Sequence, residues 1–141
     1  MKPAYLLTKN ICIYIIQRCP EEVAKRMDAC RIGEVAMSSI THAELEFGVL
    51  CAEDRDKARL QLDLLLKAVP PIPFDQGAAA AYAPIRLAGK ERRKDLMDKL
   101  IAAHAVAFGA VLVTSNVSDY KHYPQVRIEN WAKAQLAAGK P

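Results

Sequence analysis

Between Leu96 and Thr114 the chain sets a helix-length apolar stretch, LMDKLIAAHAVAF, then Gly109, then the short run AVLVT. Glycine at that point stops a helix. The run after it has no polar alternation, so a strand formed there must be buried on both faces. A doubly buried strand needs helices above and below the sheet. This one juxtaposition excludes all-β sandwiches and simple helical bundles and points to an α/β chain.

The remaining sequence carries the same alternation. Strands are predicted at Tyr5–Leu7, Glu34–Ser38 and Val126–Asn130, with Ala110–Thr114 between the last two. VPPIPF, residues 69–74, has too many prolines for a central strand and reads as a short edge strand. Helices are predicted over Ile11–Arg18, Pro20–Ala29, Thr41–Leu50, Asp54–Lys67, Gln76–Leu87 and Leu96–Phe108. Pro20 suits a first turn, and Glu21 and Glu22 suit its positive end. Asp75 and Asp95 read as helix caps. Ile11–Arg18 is apolar nearly all round, which predicts a buried helix. The expected fold is a three-layer α/β/α domain over residues 1–131 with a central, mostly parallel sheet, followed by a flexible tail, 132–141.

The 141 residues suit one domain, and 52% hydrophobic content is ample for its core. The net charge of +4 permits a nucleic-acid partner without requiring one. Cys12, Cys19, Cys30 and Cys51 lack zinc-site spacing and read as reduced thiols. No basic segment leads into a long apolar run, and no apolar run approaches the ~20 residues of a membrane span. A cytoplasmic protein is therefore expected.

In a parallel sheet the chemistry gathers at the carboxyl ends of the strands. Four places there carry suitable groups. They are Thr8-Lys9-Asn10, Glu44, Asp98, and TSNVSDY with Asn116 and Asp119. Acidic and amide oxygens drawn to one edge suit a hard divalent cation. Each also has a plainer reading. Thr41 and Glu44 fit a capping box, Asp98 complements a helix dipole, and Asn116 and Asp119 suit a turn. Lys90, Arg92, Arg93 and Lys94 form a basic loop that could simply be solvated. The tyrosines and phenylalanines read as packing residues.

The segment MDKLIAAHAVAFGAVLVTSNVSDY closely resembles the PIN-domain signature D-x-L-I-A-A-H-A…G…L-V-T-x-N-x-x-D-[FY]. SSITHAELEFGV resembles the family's S-x-[IV]-T-x-A-E-L-x-x-G, and RIENW its last strand. The subgroup it resembles is the VapC-type toxin of bacterial type II toxin–antitoxin pairs. The resemblance implies an endoribonuclease in which clustered carboxylates hold Mg²⁺ or Mn²⁺. By position, Glu44 and Asp98 are two of the acids, Asn116 fills a fourth position that varies between Asp and Asn, and Asp119 is a further polar contributor. Thr114 and Ser115 would orient the site. The resemblance also implies a cognate VapB-type antitoxin, an RNA substrate such as tRNA, and a homodimer. The antitoxin would lie in a groove supplied by Ile11–Arg18 and Ala43–Leu50, and Lys90–Lys94 would contact the RNA backbone.

One segment departs from the family. Where its members read LLDTN, this chain reads LLTKN. Thr8 stands at the position of a direct metal ligand, and Lys9 adds positive charge beside it. A hydroxyl is a weaker partner for Mg²⁺ than a carboxylate, and Lys9 repels a cation. The expectation is a nuclease impaired at its first ligand. The alternative is a PIN-like module that binds antitoxin or RNA without cutting. A small α/β phosphatase would need an Asp nucleophile after the first strand, and Thr8 does not supply one.

Overall fold

The structure is a computed structural model that describes residues 2–89, 96–123 and 125–133. Five strands form one sheet: β1 (Tyr5–Leu7), β2 (Val35–Ser38), β3 (Pro71–Ile72), β4 (Val111–Val113) and β5 (Ile128–Glu129). Six helices connect them: α1 (Lys9–Gln17), α2 (Glu21–Asp28), α3 (Ser39–Cys51), α4 (Arg55–Ala68), α5 (Gln76–Ala88) and α6 (Leu96–Phe108). The order across the sheet is β3-β2-β1-β4-β5, and every pairing is parallel. The expected mostly parallel sheet is thus wholly parallel among the described residues. The chain builds outward from β1 through β2 to β3, then reverses through β4 to β5. The switch point lies between β1 and β4, where Leu6 pairs with Leu112 and Leu7 with Val113.

β1 shows why the sheet needs cover on both sides. Leu6 and Leu7 are adjacent, fully buried, and point to opposite faces. Leu7 packs with Ile11, Met37, Leu62, Val113 and Trp131 under α1–α4. Leu6 packs with Ala36, Ile85, Ile101 and Leu112 under α5 and α6. The helix ends follow local chemistry. Asp54 caps α4 by accepting from the Lys57 N–H, and Asp75 caps α5 by accepting from the Ala78 N–H, both at 3.0 Å. Gly109 leaves α6 at φ +74, where a side chain would be strained. The expected Asp95 cap and the basic loop Lys90–Lys94 lie outside the described residues, as do residues 134–141 of the expected tail.

Two local expectations are corrected. The first is the cap of α3. The helix begins at Ser39, and the side chain of Ser38, the last residue of β2, accepts from the Ile40 N–H. Thr41 is therefore inside the helix, and Glu44 falls in its second turn, so the pair forms no capping box. The second is α1, which is not buried all round. Ile11 and Cys12 are buried, whereas Ile13, Ile15 and Ile16 are half-buried. The inner side rests on the core, and the outer side forms a groove wall. Cys12 belongs to the core, and burial pushes its thiol up to about 12. All four cysteines are free. Among the described residues no helix is long and apolar enough to cross a membrane.

His104, buried on α6, fastens the helix layer to the α3 cap. Its Nδ1 lies 2.8 Å from Ser38 Oγ, and Phe74 and Phe108 meet its ring edge-on. Burial lowers its pKa, partly offset by the charge of Asp75. The unfolded chain takes up this proton first. The stability that depends on neutral His104 is therefore full above its ordinary value of 6.5 and is lost as pH falls below it. Urea midpoints measured at about pH 7.5 and about pH 5.5 should show the wild type weakening on acidification. His104→Gln should show a smaller loss over the same interval; an equal loss would remove His104 from this role.

Candidate metal-binding nuclease site

A cleft of about 180 Å³ opens at the switch point, at the carboxyl edge of the sheet. The β1–α1 junction delivers Thr8, Lys9 and Asn10 to it, α3 delivers Glu44, α6 delivers Asp98, and the segment after β4 delivers Thr114 and Asn116. The structure thus brings together seven of the sequence-selected residues, from four separated segments. Asp119 lies on a 3₁₀ turn (Val117–Asp119) and does not line the cleft; nor does Ser115.

Helix geometry decides which acid of THAELE faces the cleft. Glu44 and Glu46 are two residues apart and so lie on different faces. Glu46 is drawn to Arg59 of α4, whose Nη1 donates to Oε1 at 2.6 Å, and it also lies 2.8 Å from His42 Nε2. The hydrogen bond from Arg59, then that from His42, holds its carboxyl down at about 2. Glu44 is left to serve the cleft.

The floor and far wall are tied to the sheet by hydrogen bonds. Thr8 is 6% exposed, its N–H donates to Val113 O, and its Oγ1 is buried with no hydrogen-bond partner among the described residues. Thr114 Oγ1 accepts the Asn116 N–H at 3.0 Å, and Asn116 O accepts the Asp119 N–H at 3.0 Å. Tyr120 also lines the cleft, and its hydroxyl donates to Asp98 Oδ1 at 3.0 Å. Burial first, then the charge of Asp98, pushes this phenol far above its usual range, so it stays a donor. Sequence reading treated Tyr120 as packing, since periodicity reports where a ring sits and not what its hydroxyl reaches.

The oxygen donors are two carboxylates (Glu44, Asp98), two amides (Asn10, Asn116) and three hydroxyls (Thr8, Thr114, Tyr120), with the Lys9 ammonium beside them. That fits a hard divalent cation, at reduced charge. Among the described residues no three His, Cys, Asp or Glu side chains converge as a metal group.

A second, larger groove of about 680 Å³ adjoins the cleft, and Lys9 and Glu44 belong to both. Its walls are Ile13 and Ile16 of α1, Leu45 and Val49 of α3, and Ala58 and Leu62 of α4. Phe47, 68% exposed, stands at its margin.

The PIN domain model matches residues 5–124. Ribonuclease VapC2 of Rickettsia felis is 33% identical over 134 residues, covering 92% of this chain and 98% of that protein. The tRNA(fMet)-specific endonuclease VapC of Shigella flexneri is 28% identical, covering 91% and 98%. The solved structure of VapBC2 from Rickettsia felis, bound to a DNA fragment from their promoter, superposes with a TM-score of 0.79 at 32% identity, covering 90% of this chain and 98% of that one. A family model spanning most of the sequence, a relative matched along nearly its whole length, and a sheet of the same build place the chain in one family: it belongs to the PIN-domain proteins.

Proposed function

We propose that this chain is a VapC-type endoribonuclease toxin whose cutting activity is impaired at Thr8. The observation that carries the reading is the convergence of Thr8, Glu44, Asp98 and Asn116 in one cleft at the switch point. Glu44 and Asp98 would hold the divalent cation, Mg²⁺ or Mn²⁺, with Thr8 Oγ1 standing where a third carboxylate would strengthen the site. When bound, the cation supplies Lewis-acid activation of water and neutralises charge on the phosphate being cut. The chain's own residues do the rest. The β4 turn fixes Asn116, whose amide is placed to orient the scissile phosphate. Thr8 and Ile101 line the cleft floor. Products carry 5′-phosphate and 3′-hydroxyl ends. We place the protein in the cytoplasm, acting on structured RNA such as tRNA. The name of the Shigella flexneri relative supports that substrate class. Asp119 is proposed as a further polar contributor to the catalytic site, and the basic residues Lys90, Arg92, Arg93 and Lys94 to serve RNA binding, in a homodimer.

The apolar groove is proposed to receive a VapB-type antitoxin segment. Relatives solved as VapBC complexes support this. Its full set of apolar walls beside a depleted cleft also favours a second reading, in which this chain binds the antitoxin and cuts nothing.

The test is total bacterial RNA with the Thr8→Asp/Lys9→Thr chain and Mg²⁺ or Mn²⁺. Cleavage should leave 5′-phosphates, stop with chelator, and fall at least ~100-fold on Asp98→Asn. Cleavage indifferent to both would overturn the metal-dependent reading. Absence of cleavage, with antitoxin still bound, would establish the second.

A further inference from the structure

Tyr120 is 3% exposed, and its ring belongs to the core beneath α5 and α6. Tyr123 meets that ring edge-on at 6.2 Å between centroids, and the Tyr120 N–H donates to Val117 O at 3.1 Å. Ring and backbone are therefore both held, and the hydroxyl is a fixed point at the cleft wall. Asp98 sits in the first turn of α6, on a side chain whose carboxylate is oriented by the groups it bonds to. Accepting from the fixed phenol at 3.0 Å selects one orientation of that carboxylate. The turn that carries Tyr120 also carries Asn116, so this hydrogen bond ties Asp98 to the segment that bears Asn116.

We propose that Tyr120 is a positioning residue of the nuclease site, its hydroxyl orienting the Asp98 carboxylate for the cation that Asp98 and Glu44 hold. The inference rests on the cation-binding reading of the cleft. Phenylalanine would pack as well as tyrosine here, so the hydroxyl alone carries the role. Carboxylates that ligate metals are commonly held by such outer hydrogen bonds.

The experiment measures Mn²⁺ affinity from the electron paramagnetic resonance signal of the free ion, in the Thr8→Asp parent titrated into the millimolar range. Circular dichroism checks that each variant is folded. Tyr120→Phe should weaken Mn²⁺ binding about 10-fold in the parent. In the Asp98→Ala background the same substitution should add no further weakening, because the hydroxyl acts through that carboxylate. A purely structural role would weaken both backgrounds alike, and that result overturns the proposal, as does an unchanged affinity in the parent. A parent that binds no Mn²⁺ would instead overturn the reading of the cleft, and the positioning role with it.

Discussion

Replacing Thr8 by Asp and Lys9 by Thr should raise the rate of RNA cleavage by about 10²–10⁴-fold, which is roughly 2.7–5.5 kcal/mol of transition-state stabilisation. The two substitutions contribute unequally. Thr8 is nearly buried on the cleft floor with an orphaned hydroxyl, so a carboxylate there acts at short range in a place water does not screen. Lys9 is half-buried at the rim. A charge at about 4 Å across water-like surroundings is worth only ~1 kcal/mol. Single-turnover cleavage by the four members of the cycle separates them. Thr8→Asp alone should recover most of the gain, and Lys9→Thr alone about 10-fold or less. If Lys9→Thr alone recovers more than Thr8→Asp, repulsion rather than a missing ligand is the defect. The backbone is ready for the change, since Thr8 occupies the extended N-cap position of α1, where Asp is favoured.

Leu6→Ala and Leu7→Ala should each destabilise the fold by about 2–5 kcal/mol, read as a fall in the urea midpoint. A domain of this kind has roughly 5–15 kcal/mol in total, so either change removes a large share. Equal losses are the mark of a sheet covered on both faces, because the two side chains enter different cores. A one-sided sheet would lose heavily at one position and little at the other. The same strand positions Thr8, so a weakened β1 should also loosen the cleft floor.

The layer architecture was legible because AVLVT leaves no polar face for solvent, and helix ends were legible where one residue type dominates: Asp54, Asp75 and Gly109. The start of α3 was harder. Ser38, Ser39 and Thr41 are all hydroxyl residues close to the strand end, and only the length of β2 decides that Ser38 is the cap. The exposure of α1 was not legible, because its apolar outer side faces a groove and no second layer of this chain. The candidate site was found by reasoning from strand ends and family resemblance, which gathered Thr8, Glu44, Asp98 and Asn116. Asp119 follows the same sequence logic; it lies on the 3₁₀ turn next to Tyr120, outside the cleft lining itself. Tyr120 was missed because its ring satisfies the core pattern by itself.

Lys9 and Glu44 are walls of both the cleft and the groove. Two ligands that share walls are thermodynamically linked: whatever factor the groove's occupant takes from cation affinity, the cation takes from the occupant. Under the proposed reading, in which Thr8 and Lys9 weaken cation binding, the groove's occupant loses a competitor, and a divalent cation should weaken antitoxin binding less in this chain than in the Thr8→Asp/Lys9→Thr chain.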